Sequence, residues 1–364
     1  MSESHRAGVV LLAGKLWPEV GGMEAHGDNF RRYFAGQQEF PLRGTITFSE
    51  QGRQVLIDEH GLHEFPNIPQ LLSTAEVVFY NSGHWITELE IHRRAAHGAC
   101  FCYRTGGNEI LKADLPNPAP EKHTDRQNFW VKTLNASIDY LITNSAYTEE
   151  RLKKIGVQTR FARFSGGVTR SLTGARASRP DVRVFFCAAR FVPYKNHQLL
   201  LETIVELLRA GERVELRLAG DGPLYEAIKT IAVYSDFPKA IVFLGRVNNE
   251  QVMAELAGAD YYIQFSSDLP MPVSGGSYVH SEGMGRTILE AISTGTYVIA
   301  LEAGAIPEVV TPDRGLLLRE ATAATLAKTI QSLLTKPTPR PTPPTHLGWS
   351  SVFEGYSKLW RHAP

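Results

Sequence analysis

The chain has 364 residues, 43% hydrophobic and 21% charged, which is enough for two hydrophobic cores in an ordinary globular composition. Its 38 basic and 38 acidic side chains cancel, which argues against a nucleic-acid or polybasic membrane partner as the main one. Three cysteines, Cys100, Cys102 and Cys187, are too few for a disulfide framework, and no CxxC or HExxH appears. Cys100 and Cys102 flank Phe101 in an apolar run and are expected as buried thiols on one strand face. The opening MSESHRAG is a poor match to a signal peptide, and no apolar run approaches the ~20 residues that span a bilayer. The expected location is the cytoplasm, with peripheral contact at the inner membrane face left open.

In chain order, short apolar runs alternate with amphipathic segments. Gly8–Ala13 reads as a buried parallel strand, followed by a glycine turn and a helix over Met23–Phe34. Glu76–Tyr80, Ala99–Tyr103 and Tyr140–Thr143 read as further strands, and Thr148–Ile155 as a helix. The stretches Gly36–Leu62 and Glu109–Lys122, the latter with Pro116, Pro118 and Pro120, read as variable loops. The pattern restarts at Val182–Cys187, beyond a polar linker, Thr173–Pro180. Val214–Ala219, Ala240–Leu244, Ala259–Phe265 and Tyr297–Leu301 read as strands; Asn196–Arg209, Glu250–Leu256, Thr287–Ser293 and Ala321–Leu334 read as helices. Alternating strand and helix predicts two doubly wound α/β domains, over 1–172 and 181–336. The run KPTPRPTPPT cannot be helical and predicts an extended linker, 337–347. The aromatic helix after it (Trp349–Trp360, within 348–364) is expected to cross back onto the first domain.

The chemistry concentrates in SEGMGRTILEA, Ser281–Ala291. Gly283 and Gly285 sit between Glu282 and Glu290 and feed a helix N-terminus, where free N–H groups suit a diphosphate. Glu290, about one turn into the helix, can accept from both hydroxyls of a ribose, and Glu282 from hydroxyls of a sugar. The same segment also reads as an ordinary loop with an acid near a helix start.

Its neighbours narrow that choice. SEGMGRTILE resembles the E-x7-E signature of retaining GT-B glycosyltransferases of the large fourth sequence family, glycosyl transferases group 1. AARFVPYKNH (Ala188–His197) resembles that family's G-R-x-x-x-x-K-G, LAGDGP (Leu218–Pro223) its I-x-G-x-G-P, and FLGRV (Phe243–Val247) its F-x-G-x-V. AGAIPEVV (Ala303–Val310) is similar to G-G-x-P-E-x-V, and Trp349-Ser350 to the start of the crossover helix. The first half matches mainly at Gly21-Gly22-Met23-Glu24.

The resemblance implies a GT-B fold: two Rossmann-like domains facing a cleft and a C-terminal crossover helix. It implies transfer of a sugar from a nucleoside-diphosphate sugar, UDP or GDP, to an acceptor hydroxyl, with no metal or other cofactor, in carbohydrate biosynthesis. The acceptor would be a small molecule, a glycan or a lipid-linked molecule. Arg190 and Lys195 would replace a metal as cations for the leaving diphosphate, with Glu282 on the sugar as the third catalytic residue. Gly245, Arg246 and Val247 would hold the base; Gly22, Gly283, Met284, Gly285, Thr287, Ile288 and Glu290 complete the expected donor site. Thr287 is expected to cap the helix. No Asp-x-Asp pair stands at a strand end, and no metal site is expected.

This sequence departs from the family in the first domain, where a histidine usually follows the strand at Ala99–Tyr103. Here the chain reads Arg104-Thr105-Gly106-Gly107-Asn108-Glu109. Arg104, Asn108 and Glu109, with His84 after another strand and Glu24 in the glycine turn, are the candidates for the acceptor or transferred sugar. Helix residues Phe30, Arg31, Arg32, Tyr33 and Phe34 also present an aromatic and cationic pattern suited to a membrane surface. The rival functions are a sugar-nucleotide epimerase or phosphorylase on the same scaffold, and a non-catalytic nucleotide-sugar binder.

Overall fold

The computed structural model describes residues 8–14, 16, 21–64, 66–81, 83–113, 122–169, 181–337 and 340–363. The expected linker Thr173–Pro180 and prolines 116, 118 and 120 lie outside them. The chain divides into two compact units, 1–167 with 271–278 and 349–364, and 168–270 with 279–348.

The first unit holds an eight-stranded sheet. Its strands are β1 (Val9–Ala13), β2 (Leu42–Phe48), β3 (Gln54–Asp58), β4 (Gly61–Glu64), β5 (Val77–Asn81), β6 (Cys100–Arg104), β7 (Tyr140–Thr143) and β8 (Arg160–Arg163). The order is β4-β3-β2-β1-β5-β6-β7-β8; β3 pairs antiparallel with both β2 and β4, and the other pairs are parallel. The helices are α1 (Gly22–Ala35), α2 (Ile68–Ser73), α3 (Leu89–Ala95), α4 (Asn108–Lys112), α5 (His123–Ser137) and α6 (Ala146–Lys154). The region read as a loop over Gly36–Leu62 therefore carries three strands. Their short runs and exposed edge, with β4 wholly exposed, conceal the buried alternation of a central strand.

The second unit holds an all-parallel sheet of β9 (Arg183–Ala188), β10 (Val214–Ala219), β11 (Ile241–Gly245), β12 (Tyr261–Gln264), β15 (Tyr297–Leu301) and β16 (Gly315–Leu318). Between β12 and β15 stands a separate hairpin, β13 (Leu269–Val273) with β14 (Gly276–His280). Its helices are α7 (His197–Arg209), α8 (Tyr225–Val233), α9 (Asn249–Gly258), α10 (Arg286–Ser293), α11 (Ile306–Val309) and α12 (Ala323–Leu334). The order β11-β10-β9-β12-β15-β16 is the doubly wound one, reversing direction between β9 and β12.

Two boundaries differ from the sequence reading. The proline-rich run stays with the second unit instead of bridging as a tether: Arg340 donates to the Ala259 carbonyl at 3.4 Å, and Leu347 is buried beside Val168. The hairpin tip, 271–278, groups with the first unit although its sequence lies inside the second. The last helix, α13 (Trp349–Arg361), packs on the first unit as expected. Val352, Phe353, Tyr356 and Trp360 form its buried face, against Phe30, Phe34 and Phe79. The 4–3–4 spacing of Trp349, Phe353, Tyr356 and Trp360 puts the rings on one stripe. His26 of α1 meets the Tyr356 hydroxyl at 3.0 Å inside that layer.

That packing corrects the membrane reading of α1. Phe30 and Phe34 are fully buried under α13, so the aromatics that suited a lipid surface are core residues. Among the described residues no helix is long and apolar enough to cross a membrane. The three cysteines are buried thiols, Cys100 and Cys102 side by side with sulfurs 3.7 Å apart.

Candidate functional site

In an open α/β sheet, ligands gather beyond the carboxyl ends of the strands where the winding reverses. In the second unit that point lies between β9 and β12. Lys195 lies in the loop after β9 and Glu282 between the β13–β14 hairpin and α10, and their ammonium and carboxylate form an ion pair. The side chains are 11% and 14% exposed, so the pair is shielded but not sealed. Burial pulls the Lys195 ammonium down and the Glu282 carboxyl up, yet their mutual attraction outweighs burial in both. Lys195 is held above its ordinary range and Glu282 below its own, so both are charged near neutrality.

A buried polar ladder supports Glu282. Gln264 and Ser266 donate to Glu282 Oε2 at 3.2 and 3.3 Å, and Gln264 donates to Ser266 at 2.8 Å. The Tyr262 hydroxyl donates to Gln264 at 2.6 Å. Sequence reading missed Tyr262, Gln264 and Ser266. The available signal was a strand that turns polar at its carboxyl end, Tyr-Ile-Gln-Phe-Ser. The backbone of Glu282 is fixed from the other side: its carbonyl accepts the Ala305 N–H at 2.9 Å. A Cβ at Gly304, whose φ is +52°, would lie 2.3 Å from that carbonyl oxygen, so glycine is required there.

Glu290 lies in the second turn of α10 and is 4% exposed. Asn249 of α9 donates to it at 2.9 Å and Arg286 stands 3.0 Å away. Burial raises its carboxyl above the ordinary value, and Arg286 and Asn249 only partly offset this. Arg286 thus pairs with Glu290, and Asn249 is a second partner that sequence reading missed.

The loops after β9, β10 and β11 are stitched side by side. Ala189 N–H donates to Ala219, Phe191 to Asp221 and Gly220 to Gly245, at 2.7–3.0 Å. Gly220 has φ +129°, and a Cβ there would meet the Ala189 carbonyl oxygen at 2.1 Å. Arg190 and Arg246 are exposed on these loops, and Gly245 and Gly283 are half-buried.

Four donor candidates stand differently from the sequence reading. Met284 and Ile288 are 6% and 0% exposed and belong to the hydrophobic core, so only their backbone can face a ligand. Val247 is partly buried against the same core. Thr287 is not the helix cap; Gly285 holds that position without a side-chain bond, and the Thr287 hydroxyl meets Tyr262 instead.

In the first unit the winding reverses between β1 and β5. Gly22 opens α1 beyond β1 and is exposed. Glu24, half-buried, folds its carboxylate back over Gly21. His84 follows β5, is exposed, and packs on Gly14 so closely that a Cβ there would lie 2.1 Å from its Nδ1. Glu109 lies against Gly83 and accepts from Thr105 at 2.6 Å. Asn108 begins α4 and accepts from the Tyr278 hydroxyl at 2.8 Å. Arg104 differs from expectation: it is 7% exposed and donates to Met23 Sδ and Asn81 Oδ1 at 2.8 and 3.3 Å. It braces the Gly22-Met23 turn from beneath instead of presenting its guanidinium to a ligand.

No group of three His, Cys, Asp or Glu able to hold a metal occurs among the described residues.

The family model for glycosyl transferases group 1 matches residues 172–343. A Corynebacterium glutamicum protein named as a GDP-mannose-dependent monoacylated alpha-(1-6)-phosphatidylinositol monomannoside mannosyltransferase is 27% identical over 64% of this chain and 60% of its own length. A Mycolicibacterium smegmatis GDP-mannose-dependent alpha-(1-6)-phosphatidylinositol monomannoside mannosyltransferase is 30% identical over 36% of this chain and 32% of its own. These matches therefore span less than two thirds of either relative. The crystal structure of Anabaena Alr3699/HepE in complex with UDP and glucose superposes with a TM-score of 0.67, covering 98% of this chain and all of that one, at 15% identity. That likeness, with the two parallel-sheet units and the returning helix, makes the fold GT-B.

Proposed function

We propose that this chain, whose residues 172–343 match the family model for glycosyl transferases group 1, moves a glycosyl group from a nucleoside-diphosphate sugar, UDP- or GDP-linked, to an acceptor hydroxyl. In this reading transfer retains the anomeric configuration and needs no metal. The observation that carries it is the Lys195–Glu282 pair at the reversal point of the second sheet, with buried Glu290 on the adjoining helix.

In the reaction the bond from sugar C1 to the diphosphate oxygen breaks and a bond from C1 to the acceptor oxygen forms. The acceptor proton passes to the leaving phosphate, a front-face route that asks for no separate base. Charge builds on the diphosphate, so fixed cations aimed at it lower the barrier. Lys195 has three donors; one is held by Glu282 and the others serve phosphate oxygens. Arg190 adds a planar fork from the same loop. Glu282, kept ionised by Lys195, accepts from sugar hydroxyls, and Glu290 from the ribose. Gly245 to Val247 receive the base, with Arg246 across it. The GDP-mannose dependence named for the bacterial relatives and the UDP in the Anabaena structure support those two bases.

The acceptor is assigned to the first unit, at the carboxyl ends of β1, β5 and β6, and is a small molecule, a glycan or a lipid-linked glycan. The protein would act in the cytoplasm or at the inner membrane face, where its donors are made. The test is a thermal-shift screen of UDP-, GDP-, ADP- and TDP-sugars in EDTA, followed by NMR of the product. One donor family should stabilise the protein and yield a glycoside of unchanged anomeric configuration. No stabilisation by any donor, an inverted product, or an epimerised donor would overturn the reading.

A further inference from the structure

The hairpin β13–β14 interrupts the second unit between Ser266 and Ser281, and its tip is built into the first unit. Tyr278 is 4% exposed and sits in the first unit's core cluster, with Met271 and Val273 packed beside it. Its hydroxyl donates to Asn108 Oδ1 at 2.8 Å. Around the turn, the His123 N–H donates to the Ser274 carbonyl at 2.6 Å, and the Thr124 hydroxyl donates to Gly275 at 3.0 Å. A Cβ at Gly276 would lie 2.7 Å from His123 Nδ1, so the tip is seated closely on the start of α5. His123 Nε2 in turn donates to the Leu111 carbonyl at 2.9 Å, satisfying the end of α4.

The tip thus grips a five-residue helix at both ends: Asn108 directly, and Leu111 through His123. A helix this short does not hold itself together, so its position rests on tertiary contacts: these hydrogen bonds and the burial of Ile110 and Leu111. Its first turn carries Glu109, which Thr105 and Gly83 place at the carboxyl end of β6 beside the His84 turn. On α4, the start of α5 and the hairpin, Asn108, Glu109, Thr124, Ser274 and Ser277 are all partly or fully exposed. Their amide, carboxylate and hydroxyls supply both donors and acceptors, the chemistry that reads a polyol.

We propose that residues 271–278 are an acceptor-specificity element, in which Tyr278 is a positioning residue that fixes Asn108 and Glu109 for a polyhydroxylated acceptor. The inference rests on the transferase reading above. Donor hydrolysis without acceptor reports the donor site alone, and transfer to p-nitrophenyl hexosides reports both sites. In the full chain, Tyr278→Phe removes one hydrogen bond while keeping the ring. The expected result is an acceptor KM about three- to tenfold higher, the range for one lost hydrogen bond, with kcat and donor hydrolysis within twofold of the unmodified chain. Asn108→Ala, which removes the acceptor contact together with the bond from Tyr278, should raise that KM further, and the double variant should be no worse than Asn108→Ala alone. An unchanged acceptor KM, or equal losses in hydrolysis and transfer, would overturn the role of the tip while leaving the transferase reading intact. Absence of both reactions in the unmodified chain with every donor would overturn the transferase reading and this inference with it.

Discussion

The two units place candidate residues at the same point of an open sheet, but they assemble them differently. In the second unit, Glu282 and Glu290 are eight residues apart, and Lys195 follows the central strand directly. Each charge there has a named partner, and the supporting ladder comes from the adjacent strand. In the first unit, Glu24, His84 and Glu109 come from three separate turns. They are braced by Arg104 from below and by a hairpin whose sequence belongs elsewhere. A ligand shared by a family can be met by a contiguous motif; a ligand individual to one protein is met by a surface pieced together from distant segments.

The largest expected effect tests the first half of that contrast. Lys195→Ala should lower turnover by about 10²–10³-fold with a much smaller change in donor affinity, as for removal of one transition-state donor. It should also cost about 3–5 kcal/mol of stability, because Glu282 is left buried and unpaired. Denaturant melts of Lys195→Met/Glu282→Met should recover most of that stability. If the single variant melts like the unmodified chain, the pair is not buried as described.

Next is Glu290→Ala, expected to weaken donor binding by about 10- to 100-fold through lost charged hydrogen bonds, as read by titration. The pH dependence sharpens this. Burial holds the Glu290 carboxyl above its ordinary value, so donor affinity should fade on acidification at a higher pH than an ordinary glutamate would set. Glu282, held low by Lys195, should stay ionised through that range. A donor-affinity profile flat down to pH 4 would contradict the assignment of the ribose to Glu290.

Each unit also buries a neutral histidine with its pKa lowered to about 4: His92 in the first and His197 in the second. The unfolded chain takes up these protons near pH 6.5 and the folded chain does not. The stability they contribute is therefore complete above pH 6.5 and is lost progressively between about 6.5 and 4. Melts of His92→Gln should remove part of that acid sensitivity from the first unit only. The smallest effect is expected for Arg246→Ala, exposed on its loop, with donor affinity lowered about twofold.

How much was legible follows the same division. In the second unit β15 is buried throughout and reads as a plain apolar run, and β10 alternates buried Val214, Leu216 and Leu218 with half-buried Glu215 and Arg217; both agree with the sequence reading at both ends. Glu282, Glu290 and Lys195 were legible because the loop chemistry is local. Gln264 and Ser266 were not, because their partner Glu282 lies beyond the intervening β13–β14 hairpin and meets them only in the folded unit. In the first unit β4 is a wholly exposed edge strand and β3 beside it is mostly half-buried, neither with a clear period, and they read as loop. Arg104 looked like a ligand group because position at a strand end is visible in sequence, whereas the Met23 and Asn81 that turn it inward are not. The hairpin could be seen only as an interruption before Ser281; its home in the other unit is a tertiary fact.

The central claim is that the second unit stabilises the leaving diphosphate with its own buried pair and without metal. Its most direct test is the single-turnover transfer rate at saturating donor in EDTA, for the unmodified chain beside the folded Lys195→Met/Glu282→Met variant. Full transfer by the unmodified chain in EDTA is expected, with a loss of at least about 10²-fold in the variant. Transfer by the variant at an undiminished rate, or an unmodified chain that is silent until a divalent ion is added, would contradict it.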